Sequence, residues 1–333
     1  QALLKGAAGR WSDRAGRRKP FVSAGYGLSA ATRPLMAAAA APAHVVLLRV
    51  ADRVAKGLRT APRDALIAES TRADRRAYAF SFHRGLDHLG AALGPLFAAL
   101  VLALEPGRLR LVFLLATVPA VAGWLTVQLA CREPTREAKA ATPSAPPTGT
   151  ALPAPLRLPL AAFFVFSLGN ASDAFLLLRA GELRFSPVEL TLLWSGFHVA
   201  KWLASAPAGR LADRLGPRRP ILAGWALYAL VYLGFGVASG AGVLIALFAL
   251  YAAYYGLTEG AERALVVRLA GGELGAGTSL GAFHASTGLG TFVASFLFGL
   301  LWQVVSPLAA FAAGAALAAT AALLLAMARD PRV

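Results

Sequence analysis

The chain has 333 residues, 57% of them hydrophobic and 15% charged, with a formal net charge of +16 and one cysteine. Soluble domains carry roughly 25% charged residues, so this composition excludes an ordinary soluble domain. The lone Cys131 excludes a disulfide framework and a cysteine-based metal cluster. Stretches 160–178, 220–238, 241–257 and 307–327 are almost free of charge, over lengths close to the ~20 residues that a helix needs to cross a bilayer. The chain reads as a multi-pass membrane protein.

Residues 1–8 read as the last turns of a helix already under way, so the chain is expected to lack its beginning. A basic loop follows, Gly9 to Pro20. Residues 21–41 form an Ala- and Gly-rich helix turned by Pro42. The next helix, 44–67, ends at the polar loop 69–76. Residues 78–104 span again, with Gly85, Gly90 and Gly94 as small residues that let helices approach closely. Glu105-Pro106-Gly107 makes a turn, and 111–130 crosses back. Residues 132–157 place Pro134, Pro143, Pro146, Pro147, Pro153 and Pro155 among Ala, Thr and Ser, without an apolar period, and read as a flexible tether. Helices are then expected at 159–180, 187–208, 220–238, 242–268, 279–304 and 307–327. The expected organisation is an N-terminal bundle at 1–131, a linker at 132–157 and a six-helix bundle at 158–333.

One segment occurs twice. Gly9-Arg10-Trp11-Ser12-Asp13-Arg14-Ala15-Gly16-Arg17-Arg18-Lys19-Pro20 reads against Gly209-Arg210-Leu211-Ala212-Asp213-Arg214-Leu215-Gly216-Pro217-Arg218-Arg219-Pro220. Phe82-His83 likewise answers Phe283-His284, and Gly57-Leu58 answers Gly256-Leu257. Such duplication in a membrane chain means two related bundles, and parallel repeats of this kind build substrate sites at their interface. Transport is the function this organisation points to. The basic residues collect in alternate connections: Arg10, Arg14, Arg17, Arg18, Lys19; Arg72, Arg75, Arg76; Arg132, Arg136, Lys139; Arg210, Arg214, Arg218, Arg219. This positive-inside pattern puts both repeated loops, and the C-terminus, in the cytoplasm of an inner or plasma membrane. It accounts for the net charge without a nucleic-acid partner.

The loop Gly-x-x-x-Asp-Arg-x-Gly-Arg-Arg-Lys at 9–19 resembles the signature between the second and third helices of major facilitator superfamily transporters. Its partial copy falls between their eighth and ninth. The resemblance covers essentially the whole chain. It implies an all-α membrane fold of two pseudo-symmetric six-helix bundles rocking about a central cavity, here with the first helix and most of the second absent. Trp11 and Pro217 depart from the pattern, and Arg53-Val54-Ala55-Lys56-Gly57 replaces the family's Arg-x-x-Gln-Gly. Gly90-x-x-x-Gly94-Pro95 resembles part of the fifth-helix signature of drug–proton antiporters, with Ala98-Ala99 in place of its closing glycines. That tilts the expectation towards efflux.

A charge at the centre of a spanning helix costs roughly 2.5–3.5 kcal/mol on insertion scales, and persists where it faces a cavity or a partner. On 44–67, Arg49, Asp52, Arg53, Lys56, Arg59 and Arg63 recur every three to four residues and form a stripe. Two roles are open: a cavity wall for anionic or zwitterionic solutes, expected of Arg53 and Lys56, or snorkelling to the interface, expected of Arg59 and Arg63. The family resemblance links the Arg matching Arg53 to proton coupling. His83, Arg84 and Asp87 share a face of the next helix, with His88 beside them, as a proton-handling group or a structural ion pair. Asn170 and Asp173 interrupt an apolar helix near its middle. His198 and Lys201 follow Trp194, and Tyr251, Tyr255 and Glu259 form a comparable stripe.

Asp13, Arg17, Arg63 and Asp64, with Asp213, Arg218, Glu262 and Arg263, lie at equivalent ends of the repeats and are expected to form ion pairs that close the cytoplasmic side. No phosphate-binding Gly-Lys-Ser/Thr loop, His-Glu-x-x-His or Gly-x-Ser-x-Gly occurs, so no enzyme activity, catalytic residue, metal or cofactor is expected. The sequence thus points to a monomeric secondary transporter of a small organic solute, coupled to protons. The alternative is a transporter-like sensor or assembly factor without turnover.

Overall fold

A computed structural model describes residues 1–133 and 152–328; most of the expected linker, with its Arg136 and Lys139, and the last five residues lie outside the described residues. The described chain is helical throughout. In order it forms α1 (Ala2–Ala15), α2 (Lys19–Ala37), α3 (Pro42–Glu69), a 3-10 turn (Ala73–Arg75), α4 (Arg76–Leu104), α5 (Leu109–Leu115) and α6 (Thr117–Ala130). It continues as α7 (Ala154–Gly169), α8 (Ala174–Glu182), α9 (Pro187–Leu215), α10 (Arg218–Val237), α11 (Ala241–Ala270), α12 (Ala276–Val304) and α13 (Pro307–Met327).

The boundaries follow local chemistry. α1 stops where Gly16 adopts φ 63, a left-handed conformation that suits glycine. α2, α3, α9 and α13 open with proline in the first turn, where the missing N–H would have no helical partner. Ser186 and Glu189 form a reciprocal capping box at the start of α9. Two expected helices are each broken in two. Between α5 and α6, Pro119 lacks the N–H that would bond back to the carbonyl of Leu115. Between α7 and α8, the polar run Asn170-Ala171-Ser172-Asp173 leaves the helical path. There the Ser172 N–H donates to Ser295 Oγ at 3.2 Å and the Ala174 N–H to Ser172 Oγ at 3.3 Å. Side chains that bond their own backbone compete with the helix in this way.

Among the described residues, seven helical stretches are long and apolar enough to cross a membrane: Ala73–Leu104, Leu109–Ala130, Ala154–Glu182, Arg218–Val237, Ala241–Ala270, Ala276–Val304 and Pro307–Met327. α3 and α9 are as long but carry charged side chains along them. A spanning helix that fails a purely apolar test because of its charges is one whose polar face needs a partner other than lipid.

The chain divides into two compact units, neither a single run of sequence. The first comprises Gln1–Ser70, Leu96–Thr150 and Gly271–Ala285; the second comprises Thr71–Pro95, Ala151–Ala270 and Ser286–Val333. In the first, α3 packs on α1 and α2, and α2 also packs on α5 and α6. Glycines allow the close approaches: a Cβ on Gly9 would sit 2.0 Å from the Gly277 carbonyl oxygen, and one on Gly25 2.5 Å from Arg59 Cβ. In the second, α10 packs on α11 and α13, α9 on α11, and α7 on α13. Its core is aromatic. Phe166 stacks on Trp225 with centroids 4.7 Å apart, and Tyr228, Tyr232, Phe235, Tyr251 and Phe311 are fully buried around them. Without a hydrophobic drive between helices in lipid, such packing and interhelical hydrogen bonds hold the bundle.

The close-approach role expected of three glycines on α4 holds for one. A Cβ on Gly85 would lie 3.2 Å from Ser205 Cβ, whereas Gly90 and Gly94 meet nothing within 4 Å. The tighter contact is elsewhere: a Cβ on Gly260 would fall 2.0 Å from Ser81 Oγ and 2.7 Å from the Ala77 carbonyl oxygen. Gly260→Ala should therefore lower stability by roughly 1–3 kcal/mol, the usual cost of overpacking, and Gly90→Ala should not. Thermal unfolding of the two purified variants in detergent checks the contrast.

Candidate functional site

The break between α7 and α8 puts a carboxylate inside the second unit. Asp173 accepts the hydroxyls of Tyr251 at 3.0 Å and Tyr255 at 3.0 and 3.1 Å, and faces Lys201 Nζ at 3.5 Å. The carbonyl of Gly169, freed where α7 ends, accepts the Tyr228 hydroxyl at 2.8 Å. Irregular backbone at membrane depth is tolerated only when its polar groups are satisfied inside the protein, and here α10, α11 and α12 supply the partners. Asn170 Nδ2 donates to Tyr254 at 3.4 Å.

Lys201 on α9 is 2% exposed, with its Nζ 3.4 Å from the centre of the Tyr255 ring and 3.9 Å from that of Phe197. A second polar group adjoins it. Glu259 on α11 accepts from Arg84 at 2.6 and 3.1 Å and meets His88 Nε2 at 2.8 Å. The other nitrogen of that imidazole, His88 Nδ1, lies 3.3 Å from His198 Nδ1. Arg84 also reaches Asp87 at 2.9 Å, and His83 lies 3.8 Å from the same carboxylate. The group expected on α4, as a proton-handling group or a structural ion pair, thus extends to Glu259, which stands far away in the sequence.

In the first unit the expected stripe on α3 divides. Asp52, 3% exposed, accepts from Ser29 at 3.0 Å and faces Arg33 at 3.6 Å and Lys56 at 3.9 Å. Arg59 lies over the Tyr26 ring at 4.1 Å. Arg49 and Arg53 are exposed and line a groove of about 380 Å³ with Leu4, Val50 and Val54. Asp64, 1% exposed, meets Arg63 at 3.0 Å and His284 Nε2 at 2.7 Å.

The two repeated aspartates do the same job on different helices. Asp13 accepts the N–H groups of Gly277 at 3.2 Å and Thr278 at 2.5 Å, and the Thr278 hydroxyl, at the start of α12. Asp213 accepts those of Ala77 at 2.9 Å and Tyr78 at 3.0 Å, at the start of α4. A carboxylate there satisfies orphan donors and meets the positive end of the helix dipole. Of the expected gate residues, Arg17 instead points to solvent. It is the neighbouring Arg18 that is buried, with Asp13 at 2.5 Å and Glu69 at 2.6 Å. Burial alone would lower the Arg18 pKa, but Glu69 and Asp13 outweigh it and hold the guanidinium above its ordinary value. Arg218 donates to the Ala326 carbonyl rather than to an acid, because it lies beside the end of α13. Glu262 accepts from Trp225 Nε1 at 3.2 Å, and Arg263 donates to the Glu259 carbonyl. Arg18, Glu69 and His284 stand outside the set expected from sequence, and His88 was expected only as a neighbour of Asp87. Of the first three, only His284 carried a signal, the repeated Phe-His pair.

Bilayer-length helices that bury carboxylates against Lys, Arg and His define a polytopic membrane transporter. The sequence model of the Major Facilitator Superfamily matches residues 1–178 and again 158–333. An uncharacterized MFS-type transporter of Methanocaldococcus jannaschii is 31% identical over 332 residues, spanning 97% of this chain and 81% of that one. The chain belongs to the Major Facilitator Superfamily: it is a multi-pass membrane transporter and not an enzyme. Its fold matches the human organic anion transporter MFSD10 (TETRAN) with a TM-score of 0.78 at 18% identity, over 98% of this chain and 80% of that one. It matches the E. coli fucose:proton symporter FucP with 0.73 at 14%, over 98% and 87%. For the proton:xylose symporter XylE the score is 0.74 at 15%, over 97% and 82%. At these identities the likeness is one of fold.

Glu259 and Asp87 share Arg84 but differ in burial, with side chains 15% and 39% exposed. Removing one partner of a buried pair costs about 3–5 kcal/mol, against about 0–1 kcal/mol for an exposed pair. Glu259→Gln should lower the melting temperature clearly and Asp87→Asn hardly, measured on purified protein in one detergent.

Proposed function

We propose that this transporter moves a small organic solute across an inner or plasma membrane by alternating access, as a monomer, with proton coupling through the polar cluster around Asp173. The observation that carries the reading is the Asp173–Lys201 pair, sited at a helix break and ringed by tyrosine hydroxyls. A carboxylate in that setting can take different charge partners without a change in backbone, which is what a coupling site needs. Tyr255 borders both Lys201 and the His88 ring, with ring centroids 6.2 Å apart for the latter. It therefore links Asp173 to the His198–His88–Glu259 series, along which protons can pass between heavy atoms 2.8–3.3 Å apart. The basic loops and the C-terminus are assigned to the cytoplasm, and efflux is assigned on the Gly90-x-x-x-Gly94-Pro95 segment. The Asp13 and Asp213 caps lie at the basic ends of their helices and would hold that side closed until both are released.

In proteoliposomes, solute flux should rise when a pH gradient is imposed. Asp173→Asn should abolish that response in the protein that folds, with flux counted per folded molecule because the variant leaves the buried Lys201 without its charge partner. Equal flux with and without the gradient would refute proton coupling. Asp13→Asn keeps the side-chain shape but weakens the cap, and should slow cycling per folded molecule, with some loss of stability because Arg18 keeps only the Glu69 carboxylate; wild-type rates in that variant would remove the gate from the mechanism.

A further inference from the structure

The buried lysine of α9 is held as a ligand would be held. Around Lys201 Nζ stand the face of Tyr255 at 3.4 Å, the face of Phe197 at 3.9 Å and the carboxylate of Asp173 at 3.5 Å. Ring faces attract cations through their quadrupoles, and an aromatic pair completed by a carboxylate is recognition chemistry for an organic ammonium. An ammonium has three N–H donors. Among the described residues the Nζ has one hydrogen-bond acceptor, Asp173, at a distance well beyond the ~2.7–2.9 Å of a tight charge-assisted bond. Ring faces and charge hold this lysine, not a full set of hydrogen bonds, so another cation of suitable shape can take its place.

Phe197 faces two ways. Besides packing on Lys201 it lines a cavity of about 560 Å³ whose walls are mostly apolar, including Leu193, Ile245 and Phe248, with Arg184 and Glu189 as its charged groups. An anion would suit the cage poorly. To reach Lys201 it would lie beside the Asp173 carboxylate and against the negative faces of two rings.

We propose that this cage binds an organic ammonium, whose cationic head replaces the Lys201 ammonium against Asp173, Tyr255 and Phe197 and whose apolar body occupies the adjoining cavity. The proposal rests on the transport reading above and names its substrate class. Lys201 is then a tethered competitor for its own site. The groups facing it are Asp173, then Tyr251, Tyr255 and Glu259 of α11, Arg84 and His88 of α4, and His198 of its own helix. Glu259 is already committed to Arg84 and His88, so Asp173 is the one carboxylate left, and it cannot neutralise two cations. As the substrate binds, one Lys201 N–H bond breaks. The proton leaves to water, directly or by way of the imidazoles, and the lysine remains as a neutral amine. One positive charge arrives and one departs; when the substrate leaves, the amine takes a proton back. The result is a one-for-one exchange of organic cation and proton.

The test uses the full chain in lipid nanodiscs, titrated calorimetrically with benzyltrimethylammonium, which has no acidic proton, and with benzoate of similar size. The ammonium should saturate one site and release close to one proton per bound cation, counted from the heats in two buffers of different ionisation enthalpy. Benzoate should not bind. Lys201→Ala should bind the ammonium at least tenfold more tightly with no proton release, and Asp173→Asn at least tenfold more weakly. Benzoate binding without ammonium binding, weaker ammonium binding in Lys201→Ala, or no proton release in the unmodified chain would each overturn the proposal. The unmodified chain's proton count decides the matter even where Lys201→Ala fails to fold. Ammonium binding without gradient-driven flux in proteoliposomes would support the site and refute transport coupling. Gradient-driven flux of a neutral or anionic solute, with no ammonium binding, would do the reverse.

Discussion

A carboxylate inside a bilayer must be matched, and the way Asp173 is matched shapes everything around it. The helix that carries it breaks at 170–173, so the protein must satisfy backbone groups as well as a charge. It does so from three directions: Tyr228 bonds the carbonyl of Gly169, Ser295 the N–H of Ser172, and Tyr251 and Tyr255 the carboxylate itself. Apart from Ser295, these partners are rigid aromatics seated in the packed core of the second unit, where Phe166 and Trp225 stack and Tyr228 packs on Tyr232 at 4.1 Å. The aromatic core is thus the scaffold that lets a helix come apart at membrane depth without leaving polar atoms orphaned.

The repeated loop shows how one sequence segment serves two helices. Asp13 and Asp213 end up on the N-terminal donors of α12 and α4, although neither partner adjoins its aspartate in sequence. A helix start offers several unpaired N–H groups and a partial positive charge, so a carboxylate within reach is held by backbone donors, to which Asp13 adds the Thr278 hydroxyl and Arg18. Lys19, at the position answered by Arg219, donates instead to the Gln128 carbonyl at the end of α6. The basic residues of the motif therefore serve helix ends as well as topology.

How much of this was legible beforehand depends on the range of the interaction. Helix identity, the duplication and the membrane setting are written in composition and spacing, which are local. The positions of Asp173, Lys201 and Tyr255 were also visible, because a charge or a polar stripe in an apolar helix stands out against its neighbours. Their mutual contacts were not, since α7, α9 and α11 are brought together only by packing. Arg18 shows the limit well. It sits in a run of three basic residues that look equivalent in sequence, yet Arg17 faces solvent while Arg18 meets Asp13 and Glu69. The break at 170–173 was half legible: its polar residues were noticed, but whether they would face a partner within a continuous helix or unwind it depended on Ser295 and Tyr228 being in place.

The two units resolve the same problem with opposite charge balance. Asp52 has a hydroxyl and two cations within 4 Å, Arg33 and Lys56, so its negative charge is over-compensated and its neighbourhood keeps a positive excess. Asp173 has two hydroxyls and one cation. Hydroxyls orient a carboxylate but do not neutralise it, so the charge of Asp173 depends on Lys201 alone. Exchanging a single cation alters the whole electrostatic state of that site, whereas the same exchange at Asp52 leaves a second cation in place. The unit whose carboxylate relies on one partner is the one whose occupancy can be read out as a change of charge, which is why the coupling chemistry proposed above is placed at Asp173 and not on the more highly charged stripe of α3.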